Sequence, residues 1–79
     1  MRVSIFSIQG ALFEGGAEKL ICHTPQGQIT VLDRHIPLVS ILTAPSVEVV
    51  REDGGREKIP VSSGFIEVRP ESEVVILTN

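Results

Sequence analysis

The sequence contains neither tryptophan nor tyrosine, and its only aromatic residues are Phe6, Phe13 and Phe65. Proteins that bind single-stranded nucleic acids usually stack the bases on exposed aromatic rings beside a positively charged groove. This chain offers few rings, its seven lysines and arginines are dispersed, and its formal net charge is −3. We therefore expect no nucleic-acid binding.

Sulfur and imidazole ligands are also scarce, because the chain has one cysteine, Cys22, and two histidines, His23 and His35. An intrachain disulfide is excluded, and a four-ligand zinc site would have to recruit carboxylates. Cys22 and His23 are adjacent, so on a strand they point to opposite faces and cannot act together on a metal or as a nucleophile pair. We expect no metal and no cofactor, and we interpret Cys22 as a small buried strand residue.

Long apolar runs and catalytic motifs are missing as well. No stretch approaches the roughly 20 apolar residues that cross a bilayer as a helix, so we expect no direct membrane insertion. The glycines do not form a phosphate-binding loop, and no Gly-x-Ser-x-Gly motif occurs. With 79 residues the chain is expected to form a single domain, residues 1–79, without catalytic residues.

Valine, isoleucine and threonine are concentrated in short runs that end at glycine, proline, aspartate or asparagine. Such runs are typical of β-strands separated by turns. They occupy residues 3–8, 18–23, 28–32, 38–42, 47–51, 56–62, 65–69 and 73–78. Many short strands need two packed layers, so the sequence predicts an all-β fold, a flattened two-layer β-sandwich of about eight to ten short strands.

Glycine and proline positions refine this prediction. Asp53-Gly54 is a hairpin signal between the runs at 47–51 and 56–62. Pro60 lacks an amide hydrogen, which places its strand at a sheet edge or a bulge. Residues 12–19 are the only candidate for a turn of helix, and Gly15-Gly16 argues against a helix there because glycine loses the most backbone entropy on ordering.

Two segments resemble a known family. Residues 24–42 read Thr-Pro-Gln-Gly-Gln-Ile-Thr-Val-Leu-Asp-Arg-His-Ile-Pro-Leu-Val-Ser-Ile-Leu, and residues 62–68 read Ser-Ser-Gly-Phe-Ile-Glu-Val. Both resemble the epsilon subunit of the F-type ATP synthase, with matching places at Gly27, Val31, Leu32, His35, Pro37 and Leu38. Residues 74–77 are similar to the closing strand of that family's β-sandwich, so the resemblance covers nearly the whole chain.

The resemblance implies a non-catalytic subunit at the foot of the rotary central stalk of a proton- or sodium-translocating ATP synthase. Such a subunit binds the gamma subunit and the ring of c subunits, and it helps to couple ion translocation to ATP synthesis or hydrolysis. Its implied location is peripheral, on the cytoplasmic face of the bacterial inner membrane or on another energy-transducing membrane.

The family pattern also implies site residues. Gln28, Ile29 and His35 are expected to face the c-ring, and Ile36, Val39 and Ser40 are expected to face gamma. This sequence departs from the pattern in two places within that region. Gln28 stands where the family has an acidic residue, and Asp33-Arg34 replaces Pro-Gly before the histidine. The first departure removes a charge from the ring contact, and the second requires a different geometry or an Asx-type hydrogen bond in the turn.

Many members of the family continue into two C-terminal helices that bind ATP or inhibit rotation, whereas this sequence ends at Asn79. For this polypeptide we expect neither nucleotide binding nor inhibition of that kind. Two other functions stay open from the residues alone. The domain could be a free-standing β-sandwich that binds peptides along a sheet edge, or an enzyme that uses His35 or paired carboxylates, although no residue spacing points to the latter.

Overall fold

The computed structural model describes residues 1–43, 45–61 and 63–79. Within these ranges the chain forms nine strands and no helix. The strands are β1 (Arg2–Ser7), β2 (Gly10–Gly16), β3 (Lys19–Thr24), β4 (Gly27–Leu32), β5 (Leu38–Leu42), β6 (Ser46–Val50), β7 (Arg56–Pro60), β8 (Gly64–Arg69) and β9 (Glu73–Thr78). The predicted all-β fold is confirmed.

The strands form two sheets. One sheet has five strands in the order β2-β1-β9-β8-β5, and the other has four in the order β4-β3-β6-β7. Neighbouring strands are antiparallel except for β1 and β9, which run parallel near the middle of the larger sheet. A β-sandwich built in this way has two outer faces, four sheet edges and two ends where the turns emerge.

Strand alternation fills the space between the sheets with aliphatic side chains. The fully buried core includes Ile5, Leu20, Ile66 and Ile76, each with no exposed surface. Thr24 is a polar residue among the buried ones, and its hydroxyl is satisfied locally: it donates to the carbonyl of Gly27 at 3.1 Å and accepts from the amide of Gln26 at 3.2 Å. The core is therefore aliphatic, as the shortage of aromatic residues predicts.

Each predicted run overlaps an observed strand, and the runs at 38–42 and 73–78 coincide with β5 and β9. Strand β2 is not among the predicted runs, and it overlaps residues 12–19, the one segment considered for a turn of helix. The glycines at 10, 15 and 16 lower the strand signal because they have no side chain to pack. Tertiary pairing with β1 overrides this weakness, with a register shift between Ile5 and Phe6 that accommodates one extra residue, Leu12.

The hairpin predicted at Asp53-Gly54 joins β6 to β7, with Val50 paired to Arg56 and Gly54 at φ 89°. Pro60 lies in β7, which is an edge strand, as predicted. Ser62, assigned by the sequence to the same run, and Ala44, between the runs at 38–42 and 47–51, lie outside the described residues.

Hydrogen bonds tie the turns at one end of the sandwich together. The amide of Thr43 donates to the carbonyl of His23 at 2.9 Å, and the amide of Asn79 donates to the carbonyl of Ser63 at 3.3 Å. At the opposite end the amide of Arg2 donates to the carbonyl of Ser72 at 2.9 Å. These bonds hold the loops of each end against the body of the sandwich.

Candidate docking surfaces

A row of apolar side chains crosses the outer face of the five-stranded sheet. Ile41 of β5 pairs with Phe65 of β8, which pairs with Leu77 of β9, which pairs with Phe6 of β1. Ile41, Phe65 and Leu77 are 49%, 57% and 54% exposed. The solvated face of an antiparallel sheet normally carries polar residues, so this apolar row is typical of a surface that another molecule covers.

Along these strands, away from the apolar row, the outward side chains become first mixed and then charged. Val39 of β5 is 72% exposed and pairs with Glu67 of β8, which pairs with Val75 of β9. One more step along the strands places Arg69, Glu73 and Arg2 side by side, and we call these residues the charged row. The face therefore grades from apolar at one end of the strands to charged at the other.

Ion pairs order the charged row. Arg69 lies 3.1 Å from Glu67 (Nε to Oε1) and 3.4 Å from Glu73 (Nη1 to Oε1), and Arg2 lies 3.9 Å from Glu14. The hydrogen bond to Glu67, and to a lesser extent the one to Glu73, raises the pKa of Arg69 above its usual range. Exposed pairs of this kind contribute little to stability, but they fix the positions of charges at the margin of the apolar surface.

A groove of about 460 Å³ opens at the end of the apolar row, between Ile41, Phe65 and Leu77, with Ser63 and Asn79 at its rim. Its floor depends on Gly64. A Cβ atom on Gly64 would collide with the carbonyl oxygen of Leu77 and would lie 3.1 Å from the Cα of Thr78. Glycine at this position therefore lets β8 and β9 approach closely beneath the groove.

Residues 33–37 form the corner between β4 and β5, and contacts from several parts of the chain hold it. The Asp33 carboxylate lies 2.8 Å from the Met1 ammonium, which also donates to the carbonyl of Ala17 at 3.0 Å. The hydrogen bond from that ammonium holds the pKa of Asp33 below its usual range. Arg34 has a φ of 62°, so it adopts the left-handed conformation that a glycine would favour, and its amide donates to the hydroxyl of Ser72 at 3.1 Å.

The corner presents a large aliphatic side chain to solvent. Ile36 is 78% exposed. His35 is half-buried, its amide donates to the carbonyl of Leu32 at 3.1 Å, and its Nδ1 lies 2.7 Å from the carbonyl oxygen of Ile36. Leu38, just beyond the corner, packs against the core instead.

The opposite end of the sandwich has a different composition, and we call it the uncharged end. It consists of the turns at residues 8–9 and 25–26, the described linking residues Thr43, Pro45 and Ser63, residue Asn79, and the strand ends that adjoin them. None of the described side chains there is an aspartate, glutamate, lysine or arginine. Gln28 lies at this end, exposed on β4 and paired with His23 of β3.

The structure separates some of the residues that the family pattern groups. Gln28 and His35 lie toward opposite ends of β4, because the strand rises about 13 Å from Gln28 to Leu32. Ile29 pairs with buried Cys22 and packs against the core. Ser40 lies on the inner face of β5, paired with buried Ile66, whereas Val39 points outward.

Sequence reasoning missed Phe6, Ile41, Phe65 and Leu77 as site residues. A signal for some of them exists, because β9 contains a continuous apolar run and β5 carries apolar residues at both odd and even positions, where a half-exposed strand should alternate. That signal shows that some outward position is apolar. The register between strands is needed to show that these positions form one row.

Groups that could bind a metal or act as a nucleophile were sought among the described residues. No group of three or more His, Cys, Asp or Glu side chains there could hold a metal ion. Burial raises the pKa of the Cys22 thiol to about 11, so the thiol stays protonated at neutral pH. The part of the chain that the structure describes also has no helix long and apolar enough to cross a membrane.

Comparison with known proteins identifies the family. The model of the ATP synthase delta/epsilon chain β-sandwich domain matches residues 1–79. An ATP synthase epsilon chain of Exiguobacterium sp. (strain ATCC BAA-1283 / AT1b) is 37% identical over 76 residues, which cover 96% of this chain and 56% of that protein. The epsilon chain of Shouchella clausii (strain KSM-K16) is 41% identical over 71 residues, covering 90% and 53%. The chain belongs to the family of ATP synthase delta/epsilon β-sandwich domains.

Solved structures agree with this assignment. A chain in a cryo-EM structure of the Euglena gracilis mitochondrial ATP synthase, which contains OSCP, F1 and the c-ring, has a TM-score of 0.87 at 26% identity. The match covers 96% of this chain and 48% of that one. A chain from the central stalk and c-ring of the Tetrahymena thermophila enzyme has a TM-score of 0.74 at 13% identity and shows the shared fold. The present chain spans about half the length of the relatives it matches.

Proposed function

We propose that this domain is a non-catalytic docking piece of the central stalk of an ATP synthase. The outer face of the five-stranded sheet binds the gamma subunit, and the uncharged end rests on the c-ring. In this arrangement the domain couples rotation of the ring to gamma, and it belongs to a complex at the membrane surface without entering the bilayer itself. The apolar row is the observation that carries the proposal.

The apolar row has the composition of an interface core. Exposed aromatic and aliphatic side chains at its centre, with a polar and charged margin, match the usual anatomy of protein interfaces. The groove beside Phe65 and Leu77 offers a place for an inserted side chain of gamma, and such filled pockets often dominate binding energy. The charged row would then lie at the rim, where charges fix orientation more than they add affinity.

The residues predicted from the family pattern take separate places in this proposal. Ile36 and Val39 are exposed and belong to the gamma surface, and His35 lies beside them at the corner. Ser40 lies on the inner face of β5, behind the gamma surface, and Ile29 lies on the inner face of β4, next to Gln28. Gln28 belongs to the ring contact at the uncharged end. Because the two sheets form one close-packed body, force at one surface is transmitted to the other with little deformation.

A pull-down with the gamma subunit of the same ATP synthase tests the gamma contact. Val39→Asp places a charge on the outer face of edge strand β5, and we expect it to abolish capture of gamma. Thr30→Asp is the matched control, because Thr30 is exposed on the outer face of the other sheet's edge strand β4. Capture that survives Val39→Asp, or fails equally with Thr30→Asp, would count against the proposal.

A second function has one observation in its favour. The edge strands β2 and β7 are protected by a bulge and by Lys58 and Pro60, whereas β4 and β5 have regular registers and carry neither proline nor charge. Unprotected edges accept additional strands. A peptide-binding module would therefore bind an extended segment along β5 and would show no affinity for gamma.

A further inference from the structure

Strand β5 forms an edge of the five-stranded sheet, and it pairs with β8 and with no other strand in the described parts of the chain. Just beyond β5, the amide of Thr43 turns away from β8 and donates to the carbonyl of His23 in the other sheet at 2.9 Å. Because amides alternate in direction along a strand, those of Ile41 and Val39 also point away from β8. The Ile41 carbonyl accepts the Ser40 hydroxyl at 3.0 Å, at an exposed position. This edge therefore presents backbone donors and acceptors to a further strand.

The outward side chains distinguish β5 from the other edge strands. β2 is protected by a register shift, and β7 by charges and a proline. β4 is uncharged, but two of its three outward side chains, Gln28 and Thr30, are polar, the third being Leu32. On β5 the outward side chains are Val39, 72% exposed, and Ile41, 49% exposed. Both are β-branched, and such residues favour strand pairing.

A second strand of the same sequence fits this edge in one antiparallel register. With the two copies of Ser40 opposite each other, Val39 of each copy lies opposite Ile41 of the other, and each of these pairs can exchange two backbone hydrogen bonds. A register centred on Val39 would place Pro37, which has no amide hydrogen, opposite Ile41. A register centred on Ile41 would place Thr43, whose amide is already bonded to the other sheet, opposite Val39. Only the register centred on Ser40 uses both outward amides.

The distribution of charge also suits two copies of this chain. β5 contains no charged residue, so two such strands bring no like charges opposite each other. Antiparallel pairing sets the charged row of one copy beside the uncharged end of the other, so the two charged rows stay apart. A second copy therefore meets no electrostatic barrier along this edge.

We propose that a second copy of this chain occupies the β5 edge, so that two five-stranded sheets join into one continuous sheet about a twofold axis at Ser40. The contact is isologous, because each copy donates and accepts the same hydrogen bonds. It extends over one short strand, so the dimer is weak, like other small transient contacts. Dimerisation protects the edge of the unassembled chain from uncontrolled strand addition. The inference does not rest on the proposed function, since the partner is the chain itself.

Sedimentation equilibrium of the purified 79-residue chain tests the dimer without gamma or the c-ring present. Between about 5 µM and about 1 mM chain, we expect a reversible monomer–dimer equilibrium with a dissociation constant on the order of 0.1 mM. Ile41→Pro removes an amide that points toward the partner copy and leaves pairing with β8 intact. By symmetry the dimer loses two hydrogen bonds, so its dissociation constant should rise at least roughly tenfold.

Phe65→Lys is the matched control for this measurement. It places a charge in the same apolar row but on the interior strand β8, so edge pairing should be unchanged. Circular dichroism melts establish that the variants fold, and Val39→Lys, which charges the edge itself, replaces Ile41→Pro if the proline variant does not fold. A chain that stays monomeric up to about 1 mM overturns the proposal and leaves the edge to a different partner. Association that Phe65→Lys also abolishes overturns it in favour of packing between outer faces.

Disulfide trapping tests the register. Opposed residues of a non-hydrogen-bonded pair have Cα atoms about 4.5 Å apart, within reach of a disulfide, so Ser40→Cys should form covalent dimers on oxidation. In the same register the two copies of Val39 are diagonal neighbours roughly 7–8 Å apart, beyond that reach. Cys22 does not interfere, because it is buried and protonated. Val39 is the more exposed residue, so faster cross-linking of Val39→Cys than of Ser40→Cys would refute this pairing.

Discussion

Gly64→Ala should strongly destabilise the domain, although it adds only a methyl group. The new Cβ would collide with the carbonyl oxygen of Leu77 and press on the Cα of Thr78. Both obstacles are backbone atoms of β9, so no flexible side chain can move aside. Overpacking of this kind costs about 1–3 kcal/mol, and the rigid neighbours favour the upper part of that range. For a domain of this size, the melting temperature should fall by roughly 10 °C or more.

Chemical denaturation followed by circular dichroism measures this loss, with Gly15→Ala as the control. Gly15 also lies in a strand, but a Cβ there would meet only the Phe13 ring at an ordinary 3.7 Å. That substitution should be neutral or stabilising by about 0.4–1 kcal/mol, since it restricts the unfolded chain. If the two variants unfold within about 0.5 kcal/mol of each other, close approach of β8 and β9 is not why glycine stands at residue 64.

Three further predictions concern the corner, the thiol and the core. Asp33→Asn removes the ion pair between the Asp33 carboxylate and the Met1 ammonium. Because the folded-state pKa of Asp33 is lowered, this pair stabilises the folded chain above the unfolded pKa of about 4, and the stabilisation is lost as pH falls through the folded pKa. The melting temperatures of variant and parent should therefore differ at neutral pH and converge in acid. Cys22 should react with iodoacetamide far more slowly in the native chain than in denaturant, and equal rates would contradict its burial. Ile66→Ala should cost about 2–5 kcal/mol in urea titrations, and a smaller loss would mean that the core collapses around it.

Much of the fold could be predicted because local chemistry and tertiary structure agree. The short runs rich in valine, isoleucine and threonine, the hairpin signal at Asp53-Gly54 and the edge position of Pro60 all match the observed strands. β2 could not be predicted in this way. Its glycines carry no burial pattern, and pairing with β1 is what holds it in an extended conformation.

The surfaces were less accessible to sequence reasoning than the fold. Val39 could be proposed from the family pattern, but Phe65 and Leu77 join it only through strand pairings between distant parts of the chain. Ser40 and Val39 are consecutive strand residues, so they face opposite sides of the sheet. Gln28 and His35 are separated by most of the length of β4. Register and strand length therefore decide which residues share a surface, and neither follows from composition.

The two proposed contacts adjoin each other rather than lying at opposite poles. In the apolar row, Phe6 and Leu77 each lie one residue from the uncharged end, and Phe65 directly follows Gly64. A gamma segment seated in the groove would therefore come within about one strand residue, roughly 3.3 Å, of the ring contact. Torque passing from ring to gamma then crosses a short span of paired strands rather than the whole sandwich. Gly64 lies within that span, so the close packing of β8 and β9 that it permits serves both contacts.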